Sequence, residues 1–95
     1  MPLSTTGIYL VDDTPFEFPM IFPLKAIGRN EAEFEGFVLS VVQTHAPSSA
    51  HTVSTRLSSG GKYLAVTVTF VAESRDQLDA IYQALSDSGR VLMAL

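Results

Sequence analysis

The stretch His51-Thr52-Val53-Ser54-Thr55-Arg56-Leu57-Ser58-Ser59-Gly60-Gly61-Lys62-Tyr63-Leu64-Ala65-Val66-Thr67-Val68-Thr69-Phe70-Val71-Ala72 decides the fold. Val53, Thr55 and Leu57 alternate with Thr52, Ser54 and Arg56, and Leu64, Val66, Val68 and Phe70 alternate with Tyr63, Ala65, Thr67 and Thr69. A period of two marks a half-buried strand, because successive side chains leave opposite faces of a sheet. The link Ser58-Ser59-Gly60-Gly61 is short and glycine-rich, which is what a hairpin turn demands. Two antiparallel strands, His51–Ser58 and Lys62–Ala72, are therefore predicted.

Upstream, Phe18, Met20, Phe22, Leu24 and Ala26 alternate with Pro19, Ile21, Pro23, Lys25 and Ile27. Proline has no N–H for a ladder, so pairing is expected to begin near Phe22 and to end at Gly28. Asn30-Glu31-Ala32-Glu33 has the spacing of a capping box, with Asn30 as N-cap and Glu33 reaching back. Glu31, Glu33 and Glu35 also suit the positive end of a helix dipole. Phe34, Phe37, Val38, Val41, Val42 and His45 then recur at threes and fours, one helical face that Pro47 stops. The β-branched valines lower helix propensity, but the periodicity is the stronger signal. Downstream, Ser74-Arg75-Asp76-Gln77 is a second capping box, Leu78, Ile81, Tyr82 and Leu85 share a helical face, and Gly89 suits a left-handed C-terminal cap. Arg90–Leu95 reads as a last strand with Val91, Met93 and Leu95 on one side.

The order β-α-β-β-α-β, with two helices that each have one apolar face, calls for a two-layer α+β fold. Right-handed crossovers make it the ferredoxin-like βαββαβ sandwich: a four-stranded antiparallel sheet, order 4-1-3-2, with both helices on one face. Residues 15–95 form that domain. Residues 1–14 read as an arm, in which Gly7-Ile8-Tyr9-Leu10-Val11 is either a short edge strand or part of a disordered leader before the turn Asp12-Asp13-Thr14-Pro15.

Composition bounds the chemistry. Ninety-five residues suit one domain, and 46% hydrophobic content argues against wholesale disorder. The absence of cysteine removes disulfides, thiol nucleophiles and cysteine-ligated metal centres. A formal charge of −4 weighs against a nucleic-acid partner. Met1–Thr6 lacks the features of a signal peptide and the apolar runs are far short of the ~20 residues of a spanning helix, so a cytoplasmic, membrane-free location is the expectation.

With both helices on one side, the other face of the sheet stays open. Tyr63, Ala65, Thr67, Thr69, Lys25, Ile27, Ser54, Arg56, Leu92 and Ala94 are expected there, a mixed surface that suits a symmetric dimer or a broad partner, or is simply solvated. Lys25, Ile27, Gly28, Arg29, Arg56, Tyr63 and Leu92 are the candidate ligand or partner surface. An RNA-recognition module would want a second ring at Ala65, so that reading fits poorly. His45 and His51 have no third ligand at a recognisable spacing, and no metal site is expected. Ser58-Ser59-Gly60-Gly61-Lys62 precedes a strand, not the helix that a phosphate loop requires. No nucleophile elbow or ordered triad is present. The expectation is a protein that is not an enzyme and that needs no cofactor.

The run Glu17-Phe18-Pro19-Met20-Ile21-Phe22-Pro23-Leu24-Lys25-Ala26-Ile27-Gly28 resembles the opening of the YbeD-like family of small bacterial proteins, and Val41-Val42-Gln43-Thr44-His45-Ala46-Pro47 resembles that family's helix end. The likeness continues through Ser58, Tyr63, Val66, Tyr82 and Leu85 to Met93-Ala94-Leu95. Phe22, Lys25, Gly28, His45 and Pro47 match the family pattern. Met20 departs from it, standing where members often have Cys or a small residue, and the arm before Asp12 is longer. The resemblance implies a ferredoxin-like fold similar to ACT-type ligand-sensing domains, and a regulatory role linked to lipoate metabolism; it brings no established catalytic residues. In an ACT-like scheme Gly28, Arg29 and the start of the first helix would meet an effector. Three functions follow as expectations. The first is a small non-enzymatic regulatory or interaction module with an unknown protein or small-molecule effector, or a homodimer through sheet face or edge. The second is a carrier or accessory protein for lipoyl or octanoyl groups. Nucleic-acid binding ranks last.

Overall fold

Gly60 and Gly61 take φ values of +99° and +74°, the left-handed backbone that favours glycine. The Gly61 N–H donates to the Ser58 carbonyl at 2.9 Å, and the Ser58 N–H to the Tyr63 carbonyl at 2.9 Å, so the hairpin closes where its sequence allows. In the computed structural model of the protein, which describes residues 17–95, the element order is β1 (Met20–Arg29), α1 (Phe34–His45), β2 (Thr52–Leu57), β3 (Tyr63–Ala72), α2 (Arg75–Asp87) and β4 (Val91–Ala94). The sheet order is β2-β3-β1-β4, all antiparallel, the arrangement the pattern predicts. The expected arm over residues 1–14 lies outside the described residues.

The core is the inner face of the sheet against two helical stripes. Leu24, Ala26, Leu64, Val66, Val68, Phe70 and Ala72 meet Phe34, Val38 and Val42 of α1 and Leu78, Ile81 and Leu85 of α2. Fully burying each large member contributes roughly 1.5–3 kcal/mol. The Ser74 hydroxyl caps α2 by accepting from the Gln77 N–H at 3.0 Å, and Gly89 takes φ +72° after the helix.

Three local expectations are corrected. First, β1 is longer than predicted: it pairs with β3 from Met20↔Ala72 to Arg29↔Tyr63, through both Pro23 and Gly28. Backbone groups of successive residues point to opposite neighbours, and those of every second residue to the same one. Lys25 exchanges hydrogen bonds with Leu95 (3.1 and 2.8 Å), so Pro23, two residues back, points the same way, past the end of β4. Its missing N–H removes no hydrogen bond from the described ladder.

Second, Asn30 does not cap α1. The helix begins after Glu33, which has helical φ/ψ and makes no side-chain cap bond. Because β1 runs on to Arg29, Asn30 sits beside the hairpin. Its N–H donates to the Lys62 carbonyl at 2.9 Å and its side-chain Nδ2 to the Gly61 carbonyl at 3.0 Å.

Third, β4 presents the opposite side chains. The register shifts between Ile27↔Met93 and Gly28↔Val91, leaving Leu92 as the extra residue of a bulge. After the bulge Ala94 turns inward opposite Ala26, while Met93 turns outward opposite Ile27. Leu92, Met93 and Leu95 are 61%, 55% and 61% exposed. The expected inner set of Val91, Met93 and Leu95 thus becomes Val91 and Ala94.

Candidate functional site

The strand registers assemble the open face in rows. One row runs Arg56, Ala65, Ile27, Met93 across β2, β3, β1 and β4; the next runs Ser54, Thr67, Lys25, Leu95. A third pairs Tyr63 with Arg29. The inner positions of β3 are buried, so these outward ones face away from the helices. Ala65 and Thr67 are small, and over them lies a shallow cleft of about 280 Å³ lined by Lys25, Ser54, Thr55, Arg56, Ala65 and Thr67. Lys25 and Arg56 stand two strands and two residues apart, about 12 Å between Cα atoms for ordinary sheet spacings. Two long side chains can converge on one anion from there. Beside the cleft, on β1 and β4, Ile27, Met93 and Leu95 form an apolar strip; Ile21, four residues from Lys25 on the same face and opposite Val71, is 72% exposed.

Of the predicted surface residues, Lys25, Ile27, Arg56 and Tyr63 come together on this face. Leu92 is exposed at its β4 border. Arg29 and Tyr63 share the adjoining end with Asn30, Glu31, Gly61 and Lys62 around a second cleft of about 430 Å³. Gly28 belongs elsewhere. A Cβ there would lie 2.5 Å from the Phe34 ring and 2.7 Å from the Arg90 carbonyl oxygen, so Gly28 lets the start of α1 and the entry to β4 close on β1. Arg90 reinforces that junction, its guanidinium 4.7 Å above the Phe37 ring and 3.8 Å from Glu31.

The remaining family-pattern positions sit at the other end of α1, about 18 Å away for a twelve-residue helix. His45 Nδ1 donates to the Val41 carbonyl at 2.9 Å. Its own carbonyl accepts from Gln77 Nε2 at 2.9 Å, while Gln77 Oε1 accepts from the Glu73 N–H at 2.7 Å. Pro47 lines a small cleft of about 160 Å³ with Ser49, Val71, Glu73 and Gln77. His51 stacks on Phe70 (centroids 6.4 Å, 23°), and Phe22 meets Phe70 edge-on at 6.2 Å. His51 Nε2 is buried without a hydrogen-bond partner. Through the His45 carbonyl and Gln77, the end of α1 is tied to the start of α2.

Met93 and Leu95 are the site residues that the sequence pattern misses. Nothing in Val91-Leu92-Met93-Ala94-Leu95 marks the bulge that turns them outward. Gln77 is legible only as half of a capping box; its link to the end of α1 depends on how the helices meet.

Two packed layers, with one sheet face that no other described element covers, define a small ferredoxin-like α+β protein. No helix among the described residues is long and apolar enough to cross a membrane. The sequence profile "Protein of unknown function (DUF493)" matches residues 13–95, and the chain belongs to this family. It is 41% identical over 87 residues to the UPF0250 protein NE1487 of Nitrosomonas europaea, covering 90% of this chain and 100% of that one. Over 81 residues it is 48% identical to a UPF0250 protein of Chromobacterium violaceum (84% and 91% covered). These relatives agree with the YbeD-like resemblance. The solution structure of protein HP0495 from H. pylori has the same fold: TM-score 0.69, 13% identity, covering 92% of this chain and 96% of that one.

Proposed function

We propose that the protein is a small non-enzymatic interaction module of regulatory type, which works by docking a partner or effector on the open face of its sheet. The observation that carries this is the contiguity of Ile27, Met93 and Leu95 beside the Lys25–Arg56 cleft. Single exposed hydrophobics are ordinary, whereas a continuous strip next to uncompensated cations is what binding surfaces have. The cleft is open to solvent, and its side chains are two cations, hydroxyls and a methyl group. Such a set suits the holding and neutralising of an anion. Affinity purification of the tagged chain from its native cell is the test. The Ile27→Glu/Met93→Glu variant should lose the captured component, and Gln83→Lys on the exposed side of α2 should keep it. The opposite pattern would place the working surface on the helices.

A second reading is favoured by one observation, the cations lying directly beside an apolar strip. That pairing suits a carboxylate with an acyl tail, such as the octanoyl or lipoyl groups that the family resemblance suggests. Octanoate or lipoate should then raise the melting temperature progressively with concentration. A flat response ends this version and leaves the first intact.

A further inference from the structure

We infer, building on the open-face reading above, that the partner is another protein, and that it docks through an acidic, amphipathic segment. Charge is segregated in this molecule. The chain carries a net −4, yet the outward positions of the four strands include Lys25, Arg29 and Arg56 and no Asp or Glu side chain. Every Asp and Glu of residues 17–95 lies off those positions, mostly at the starts of the helices, where Glu31, Glu33, Glu35 and Asp76 complement the dipoles. Among the described residues, none of the three cations meets a carboxylate; the two ion pairs are Arg75–Asp79 and Arg90–Glu31. An acidic protein thus keeps one cationic face, and Ile21, Tyr63, Val71, Met93 and Leu95 are exposed on that same face.

A complementary ligand carries carboxylates over Lys25 and Arg56 and apolar groups over Ile27, Met93 and Leu95. The two requirements lie side by side across about 14 Å of sheet, the three spacings of about 4.8 Å between four strands. That span fits a polypeptide segment with an acidic and an apolar side better than it fits one small carboxylate. Nucleic acid offers phosphates for the cations but nothing for the strip, with Tyr63 the sole outward ring on the four strands described, and a net −4 repels a long polyanion. A second copy docked face to face supplies no carboxylate to the three cations, and about an axis through the cleft it sets like charges against each other, which is costly.

The test uses the full chain, isotopically labelled, titrated with three ten-residue peptides that alternate Leu with Glu, with Ser or with Lys. The Glu peptide should shift the amides of Lys25, Ile27, Arg56, Ala65 and Met93. Its affinity should fall on the order of tenfold as salt shortens the Debye length from about 10 to about 3 Å. A Lys25→Glu/Arg56→Glu variant should lose a similar factor, the size expected of two exposed ion pairs. Both positions are exposed, so circular dichroism should show an unchanged fold; the salt dependence of the unmodified chain is the independent readout. Equal binding of the Glu and Ser peptides overturns the proposal, as does no binding. Stronger binding of octanoate, of an oligothymidylate or of anionic vesicles overturns it too, and so does self-association through the same amides in sedimentation. If the peptides fail while Ile27→Glu/Met93→Glu still abolishes capture from cells, the face docks something of other chemistry. If neither has any effect, the open-face reading itself falls.

Discussion

Gly28 shows how a position in a family pattern can be explained by contact rather than by ligand. Its hydrogen stands where a methyl group would meet the Phe34 ring at 2.5 Å and the Arg90 carbonyl oxygen at 2.7 Å. Neither is a flexible end, so Gly28→Ala should destabilise the fold by about 1–3 kcal/mol, the usual cost of overpacking. Urea unfolding measures it, and an unchanged midpoint would show that the junction has slack. Tyr82 makes a prediction about pH. Burial raises its pKa above the ordinary value of 10.0, because the phenolate would lose hydration on the face of α2 that packs inward. The folded state therefore holds its proton at pH values where the unfolded chain has released it. The stability this represents is fully present below about pH 10 and is lost as pH rises through the folded value. Tyr82→Phe should flatten the alkaline fall in melting temperature; an identical fall in both proteins would assign it to other groups.

The elements show where local sequence is sufficient and where it is not. The hairpin, α2 and the sheet order are legible because each rests on a periodicity and a turn or cap that agree with one another. Asn30 misleads because its capping motif is real, but β1 continues past Gly28 to Arg29 and brings the side chain to Gly61 instead. Ser74→Ala should thus cost about 1 kcal/mol through the lost cap of α2. Asn30→Ala should leave the helix signal unchanged and speed amide exchange in the hairpin, Gly61 and Tyr63 above all. Only a lost helix signal in Asn30→Ala would restore the cap reading. β4 misleads for a different reason: a bulge is one residue of slack, and the alternation of five apolar residues cannot reveal where that residue sits. Ala94→Glu should be the damaging substitution, by about 1–3 kcal/mol for a carboxylate turned toward the core, with Met93→Glu within about 0.5 kcal/mol of neutral. The reverse order in thermal melts would restore the unbulged strand.

At the scale of the molecule, two clusters divide the work. One end of the helix layer is closed by Gly28, Phe34, Phe37 and Arg90, the other by His45, Ser74 and Gln77, and the sheet between them presents the side that no other described element covers. The existence of that side was legible, since two single-faced helices can cover only one face of four strands. Its composition was legible on β1, β2 and β3. The apolar border on β4 was not, because it depends on one register shift.

Pro23 carries a consequence for solubility. Beyond Leu95, the flank of β1 at Ile21 and Pro23 has no partner strand among the described residues, and an uncovered strand flank is a template for fibril growth. A proline at that spot denies an incoming chain one of the hydrogen bonds it would need. Pro23→Val restores the donor and lengthens a β-branched apolar run; it should leave the melting temperature nearly unchanged while hastening thioflavin-positive aggregation in concentrated samples. The residue that least resembles a strand former is the one that keeps the strand from recruiting its own kind.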